Sequence, residues 1–211
     1  MEMDREIVIT WPRKKPYKNV LQFKITLNET DPPVWRRIQV PDSLTFYDLH
    51  VAIQDAIGWQ DCHLHDFKIY PRRKYGMDIR IECPFALDEL EDKAPLVTTE
   101  IPITDFLQET GDKAIYNYDY GDGWEHDVIL EGIFPKEPGS KYPICLAGEL
   151  AGPPEDCGGI PGYYECIKAL KKRDNSEGLL TWLGRWRPDR FDPARIKFWS
   201  PLTRLKLALK E

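Results

Sequence analysis

Residues 20–58 decide the fold of this chain and read VLQFKITLNETDPPVWRRIQVPDSLTFYDLHVAIQDAIG. In 20–27 and again in 34–40, every second residue points to the same side, which predicts two strands, and Asp31-Pro32-Pro33 between them predicts a turn. The pair is therefore expected to form a hairpin. The expected shared face of the first strand consists of Leu21, Phe23, Ile25 and Leu27, and that of the second of Val34, Arg36, Ile38 and Val40.

A helix is predicted directly after this hairpin. Thr45 can accept from the amide of Asp48 while the Asp48 carboxylate reaches back, and Leu44 can pack on Leu49 across the first turn. Gly58 marks the end of the helix. The apolar stripe at helical spacing consists of Phe46, Leu49, Ile53 and Ile57.

Period-two alternation resumes in residues 63–70, so the chain begins strand, strand, helix, strand. This order predicts an α+β fold with a mixed or antiparallel sheet and packed helices, similar to a β-grasp start. We expect residues 1–19 to form an extended lead-in and residues 20–211 to form a single domain. Further expected elements are strands at 79–81, 116–120 and 124–132, a helical turn at 103–107 capped by Thr104, and helices at 163–170, at 179–183 and after Ser200-Pro201, the last carrying Leu202, Leu205 and Leu209.

Composition favours a cytoplasmic globular protein. Of the 211 residues, 42% are hydrophobic, enough for a substantial core. No stretch approaches the roughly 18 consecutive apolar residues of a membrane span, and the charged first residues lack a signal-peptide apolar region. No membrane partner is therefore expected. The five cysteines lack CxxC spacing, which predicts free thiols.

Charge is distributed unevenly along the chain. Residues 163–211 contain 12 Lys+Arg and 6 Asp+Glu, a balance of +6, which leaves −12 for residues 1–162 because the net charge is −6. A basic segment can bind nucleic acid, and it can equally pair with the acidic body of the protein. The residues that would serve nucleic-acid binding are Lys171, Lys172, Arg173, Arg185, Arg187 and Arg190, with Trp182 or Trp186 for base stacking.

Two segments carry most of the chemistry: residues 116–131 (YNYDYGDGWEHDVILE) and 145–159 (CLAGELAGPPEDCGG). Proline stiffens the start of the PPEDCGG loop and glycine permits positive φ at its end, so the loop can aim its acids. We interpret the two segments as an aromatic-acidic groove for a protein or small ligand. The candidate ligand-binding residues are Asp119, Asp122, Trp124, His126, Glu155 and Asp156.

Strand parity places His126 with Trp124 and Val128 on a covered face, and places His63 and His65 with Phe67. A hydrogen-bonded core of His, Tyr, Trp and Asp side chains is one interpretation, in which Asp119, Asp122 or Asp156 bonds a buried imidazole. A transition-metal site is another, and a carboxylate site for a hard cation or proton transfer is a third. The metal donors would come from His63, His65, His126, Cys145 and Cys157. Their spacing matches no recognised zinc motif, and Cys157 has no basic partner nearby in sequence that would make it a nucleophile.

Through six motifs in the same order, the chain resembles the plasmid pRiA open-reading-frame-three-like family. These are microbial proteins, some of which are encoded on plasmids and mobile elements. The motifs are FKITLNETDPPVWRRIQVP, SLTFYDLHVAIQDAIGW, HLHDFKI, YDYGDGWEHDVILE, CLAGELAGPPEDCGG and GYYECIKAL, and they span roughly residues 20–172. The resemblance implies an α+β single domain and carries over no activity, substrate or catalytic residue.

The leading functional hypothesis is a noncatalytic binding or adaptor domain. The alternatives are a metal-dependent hydrolase or transferase, which requires at least three of the metal donors to converge, and a nucleic-acid-binding accessory protein of a mobile element.

Overall fold

The computed structural model describes residues 16–70, 78–86, 96–173, 175 and 178–209, and eight strands in these ranges form one mixed sheet. Most of the expected lead-in lies outside the described residues. Every strand pair is antiparallel except β4 with β5, and the sheet order is β5-β4-β3-β6-β7-β1-β2-β8. The strands are β1 Asn19–Leu27, β2 Trp35–Pro41, β3 His65–Ile69, β4 Ile79–Glu82, β5 Leu96–Val97, β6 Lys113–Tyr118, β7 Trp124–Pro135 and β8 Ile144–Glu149.

Four α-helices accompany the sheet in the described part of the chain, so the predicted α+β class is confirmed. They are α1 Phe46–Ile57, α2 Gly159–Lys172, α3 Leu179–Leu183 and α4 Pro201–Ala208, and short 3₁₀ helices occur at Ile103–Asp105 and Pro193–Arg195. The predicted cap at Thr104 is wrong, because Pro102 holds the cap position and no side chain caps that turn.

The predicted hairpin is the β1–β2 pair, with Phe23 opposite Ile38. The alternating apolar residues of both strands are buried, as expected from their period of two. The predicted order strand, strand, helix, strand is also confirmed, but pairing separates β3 from β1 by β6 and β7. Strands β5 and β8 have no counterpart in the sequence prediction.

Helix α1 begins with the predicted capping box. The Thr45 hydroxyl accepts from the Asp48 amide at 3.2 Å, and the Asp48 carboxylate accepts from the Thr45 amide at 3.0 Å. At the other end, Gly58 adopts φ 104° and its amide donates to the Gln54 carbonyl. Local sequence therefore sets both ends of the helix.

Replacing Thr45 by alanine is expected to lower the free energy of unfolding by about 1 kcal/mol, because the Asp48 amide loses its acceptor. Thr203, exposed on α4, provides the matched control, and its replacement by alanine is expected to change stability by less than about 0.5 kcal/mol. Urea unfolding of both variants measures the difference. Equal stabilities would show that the capping box does not hold α1.

Both faces of α1 are covered, which the one-sided apolar stripe did not predict. All twelve residues of the helix are buried. Leu205 of α4 packs on Tyr47 and Val51, and Arg204 pairs with Asp55 at 2.6 Å. In the predicted C-terminal stripe, only Leu205 is buried, whereas Leu202 and Leu209 are 50% and 52% exposed.

Arg36 projects from β2 into the core, where its guanidinium bonds backbone carbonyls. Its Nε donates to Ala56 at 2.7 Å, and its Nη1 donates to Trp35 at 2.7 Å and to Glu149 at 3.0 Å. Burial lowers the pKa of Arg36 to about 10, so the group stays charged at neutral pH. The positive charge lies at the C-terminus of α1. There it bonds a backbone carbonyl that has no partner within the helix, and it interacts favourably with the helix dipole. Arg36 thus ties the end of α1 to the end of β8.

Candidate functional site

Three loops meet at one edge of the sheet. The first follows α1 (residues 58–64), the second joins β6 to β7 (119–123), and the third follows β8 (150–158). The first two loops meet because β3 starts, β6 ends and β7 starts at neighbouring positions, with His65 opposite Tyr118 and Tyr118 opposite Trp124. Hydrogen bonds from the Trp59 indole to the Pro153 carbonyl and from the Gly158 amide to Asp122 bring the third loop, and with it the second chemistry-bearing segment, to the first two loops.

One residue from each loop contributes to a cluster that we call the surface cluster: His63, Asp119 and Asp156. His63 Nε2 lies 2.7 Å from Asp156 Oδ1 and 3.5 Å from Asp119 Oδ2. The His63 side chain is 31% exposed and that of Asp156 is 67% exposed, whereas Asp119 is nearly buried. Both aspartates adopt left-handed backbone angles (φ 53° and 54°), a conformation that Asp tolerates better than most residues.

Other atoms hold the loops in place. Glu155 accepts from the Tyr118 hydroxyl at 2.6 Å and from the Gln60 amide at 2.8 Å, and Asp122 accepts from the Gly158 amide at 3.1 Å. Gly159 passes so close to the Asp122 carbonyl that a Cβ there would lie 2.5 Å from the oxygen. These contacts fix the positions of the loops without using Asp119 Oδ2 and Asp156 Oδ1, the oxygens that face His63.

An aromatic layer lies behind the three loops. Trp59 stacks on Tyr118 with ring centroids 4.9 Å apart, and it contacts Trp124 at 5.6 Å and the edge of His126 at 5.4 Å. The Trp59 indole also donates to the Pro153 carbonyl at 2.9 Å. Burial, followed by the adjacent Glu155 carboxylate, raises the pKa of Tyr118, so its hydroxyl remains protonated. This layer supports the loops from the core side.

The structure divides the predicted aromatic-acidic groove into two parts. Trp124 and His126 are buried in the aromatic layer, whereas Asp119, Asp122, Glu155 and Asp156 belong to the loops. Burial lowers the pKa of His126 to about 3, and neither of its ring nitrogens has a hydrogen-bond partner of good geometry among the described residues. None of the three candidate aspartates bonds His126. It is therefore a neutral core residue, and the acidic loops form the accessible part.

The prediction that His63 and His65 lie on the same covered face of a strand is wrong, because β3 begins at His65 and His63 precedes it. His65 is buried, and its ring stacks on that of His50 at 3.5 Å with 9° between the planes. Burial, and then the neighbouring His50, lower the pKa of His65 well below its usual value. His63 instead faces the surface, where it bonds Asp156, so this contact is not the core imidazole–aspartate bond that the sequence suggested.

Sequence reasoning missed a ring of hydrogen bonds around His50. His50 bonds Asp61 and the Tyr116 hydroxyl, both at 2.7 Å, while Gln54 donates to the same hydroxyl at 3.0 Å and accepts from the Asp61 amide at 3.0 Å. The available signal was the pair of polar residues His50 and Gln54, four apart in an apolar helix and hence on one face. With Tyr116 fully buried, this ring fixes the start of the 58–64 loop to the core.

The five predicted metal donors do not form one donor set. In the described part of the chain, two groups of three His or Asp side chains bring ligand atoms within 4.8 Å of one another: His50, Asp61 and His65, which we call the buried cluster, and the surface cluster. Cys145 and Cys157 belong to neither, and all five cysteines are free thiols, as predicted. Burial raises the pKa of Cys157 to about 12, so no reactive thiolate forms there at neutral pH.

A cleft of about 330 Å³ adjoins the surface cluster. Its wall includes Asp61 and His63, and so lies beside both clusters. The remaining wall consists of Cys62, Leu64, Cys83, Phe85 and Ala208.

Of the two tryptophans in the basic C-terminal segment that could stack on bases, one is exposed. Trp182 is 52% exposed, whereas Trp186 packs against Tyr163 and donates to the Gly152 carbonyl at 2.8 Å. Arg187 donates to the carbonyls of Gly184 and Trp186. In the described ranges, no helix is both long and apolar enough to cross a membrane.

Comparisons with known proteins identify relatives of this chain. Residues 19–195 match the family model described as plasmid pRiA4b ORF-3-like protein. The chain belongs to this family. It is 34% identical, over 79% of its length and 81% of the relative, to the uncharacterized protein y4hQ of Sinorhizobium fredii (strain NBRC 101917 / NGR234). It is also similar to the crystal structure of MM3350, a protein of unknown function from Methanosarcina mazei Go1, with a TM-score of 0.76 and 40% identity over 88% of this chain and 100% of the other. The pRiA4b ORF-3-like match covers all three loops, so the surface cluster lies within the family region.

Proposed function

We propose that this member of the pRiA4b ORF-3-like family is a noncatalytic cytoplasmic binding domain whose ligand is positively charged and is held at the surface cluster. The observation that carries the proposal is that two carboxylates converge on His63 without a Lys or Arg partner in the described part of the chain. Among the described residues, no Lys or Arg forms an ion pair with Asp119 or Asp156, and His63 is their only ion-pair contact. Carboxylates in such surroundings favour a cationic ligand.

Preorganisation supports this proposal. Glu155 and Asp122 hold the loops, and the aromatic layer backs them, so little conformational freedom is lost when a ligand binds. The adjoining cleft gives a ligand room to extend past His63.

The titratable groups around the site favour binding over catalysis. Burial raises the pKa of Cys83 and of Cys157 to about 12 and also raises that of Tyr118, while it lowers that of His65 and His126. A nucleophile or a general base needs its reactive form near neutral pH. The two thiols and the Tyr118 hydroxyl stay protonated at neutral pH, and the two imidazoles, although neutral, are weak bases buried in the core.

Hexaamminecobalt(III), a cation that does not exchange its ligands, tests the proposal because it binds through charge and hydrogen bonds alone. We expect saturable binding with amide shifts in NMR spectra confined to residues 58–64, 119–123 and 155–158. The double variant Asp119→Asn, Asp156→Asn is expected to bind at least about tenfold more weakly, since each carboxylate contributes on the order of 1 kcal/mol. Asn keeps the acceptor for the Gly121 amide and tolerates positive φ.

Glu165→Gln is the matched control, because Glu165 is an exposed acid on α2 away from the three loops. Its affinity for the cation should equal that of the wild type. Shifts spread over the whole acidic surface, or an unchanged affinity of the double variant, would refute the proposed function.

A further inference from the structure

We propose that the surface cluster is a site for a divalent first-row transition metal ion, with His63 Nε2, Asp119 Oδ2 and Asp156 Oδ1 as ligands. The inference rests on the proposed function, since it names the cation that the site prefers. It uses one residue from each of the three loops, and of the five metal donors expected from the sequence it retains only His63.

The distances suit a single ion after a small adjustment. Donors about 2.1 Å from an ion in tetrahedral arrangement lie about 3.4 Å from one another. His63 Nε2 and Asp119 Oδ2 are already 3.5 Å apart, and the His63–Asp156 pair at 2.7 Å must open by less than about 1 Å. Asp156 can make this movement because its side chain is exposed and, among the described residues, His63 is the only hydrogen-bond partner of that side chain.

Asp119 gives a second, independent indication of a ligand. Its side chain is nine-tenths buried, and Oδ2 faces the cluster, where His63 at 3.5 Å is its nearest donor in the part of the chain that the structure describes. Its other oxygen, Oδ1, accepts from the Gly121 amide at 3.0 Å and from the Asp122 amide at 3.3 Å. A largely buried carboxylate with one oxygen fixed by backbone amides and the other turned toward His63 is oriented as outer hydrogen bonds orient a metal ligand.

The donor types select the class of metal. One imidazole nitrogen and two carboxylate oxygens suit Zn²⁺, Co²⁺, Fe²⁺ or Mn²⁺, whereas Ca²⁺ takes about 6–8 oxygen ligands. Exposure of His63 and Asp156 leaves further coordination positions open to solvent.

The buried cluster is a poorer metal site despite its two histidines. The rings of His50 and His65 are stacked nearly in parallel, 3.5 Å apart, so their in-plane lone pairs do not converge on one point. Both nitrogens of His50 already make hydrogen bonds at 2.7 Å. An ion there would require rotation of fully buried rings, which dense packing resists.

Titration of chelator-treated protein with Zn²⁺ by calorimetry, and with Co²⁺ by visible absorption, tests the inference. We expect one ion per chain and an absorption spectrum of Co²⁺ bound by nitrogen and oxygen. His63→Gln, Asp119→Asn and Asp156→Asn are each expected to weaken binding at least about tenfold, and Glu165→Gln is expected to leave it unchanged. Circular dichroism of each variant checks the fold, and Asp156→Asn, at the most exposed position, keeps the test valid if a more buried variant unfolds.

Three results would overturn the inference: no Zn²⁺ or Co²⁺ binding, weak binding at many adventitious sites, or stoichiometric binding that survives both His63→Gln and Asp119→Asn. Hexaamminecobalt(III) separates this inference from the proposed function. If that cation binds at the three loops while Zn²⁺ and Co²⁺ do not, the binding function stands and the metal assignment fails. If none of the three binds, both fail.

Discussion

Replacement of Trp59 by alanine is expected to lower the free energy of unfolding by about 3–5 kcal/mol, the range for loss of a large buried aromatic side chain. Trp59 is 2% exposed and packs between Tyr118, Trp124 and His126. The same substitution removes the donor to the Pro153 carbonyl, which joins the 58–64 loop to the 150–158 loop. Urea unfolding followed by circular dichroism measures the loss.

Trp182→Ala is the matched control, because Trp182 has the same side chain and is 52% exposed. Its effect is expected to remain within about 0.5 kcal/mol. A loss below about 1 kcal/mol for Trp59→Ala would contradict the assignment of the aromatic layer as the support of the three loops.

Acidification from pH 7 to pH 5 is expected to cost the wild type about 2 kcal/mol more than a His126→Leu variant. In the folded protein burial lowers the pKa of His126 to about 3, while an unfolded chain protonates His near pH 6.5. Between these values the unfolded state binds more protons, so stability rises with pH and is lost as pH falls below about 6.5. Leucine removes the titrating group while filling a similar volume.

Stability curves in urea at several pH values between 7 and 5 measure this difference. Most carboxylates remain ionised in that window, so they contribute little to the comparison. His65, whose pKa burial also lowers, is present in both proteins and retains its own contribution. Parallel stability curves for the two proteins would show that His126 is not a buried neutral imidazole.

Local patterns were sufficient for the parts of the fold that short stretches determine. The capping box of Thr45 and Asp48 depends on four consecutive residues, and the β1–β2 hairpin depends on two alternating segments and a proline turn, so both could be predicted. The alternation of covered and exposed residues along β7 likewise predicted that His126 lies on the covered face. In each case the structural outcome follows from neighbours along the chain.

Contacts between distant segments could not be predicted in the same way. Burial of both faces of α1 requires Leu205 and Arg204, about 150 positions away from the residues they cover, and no periodicity within α1 reports them. The pairing of His63 with Asp119 and Asp156 similarly depends on the order of strands in the sheet. Sequence identified these three side chains as candidates. It could not show that the register of β3, β6 and β7 places His63 near Asp119, or that contacts between loops bring Asp156 to them.

The most direct test of the surface cluster as a metal site is an anomalous difference map from a crystal of the Zn²⁺-loaded protein. We expect one peak per chain, about 2.0–2.2 Å from His63 Nε2, Asp119 Oδ2 and Asp156 Oδ1. A peak at His50, Asp61 and His65, a peak at the cysteines, or no peak at the three loops would contradict it.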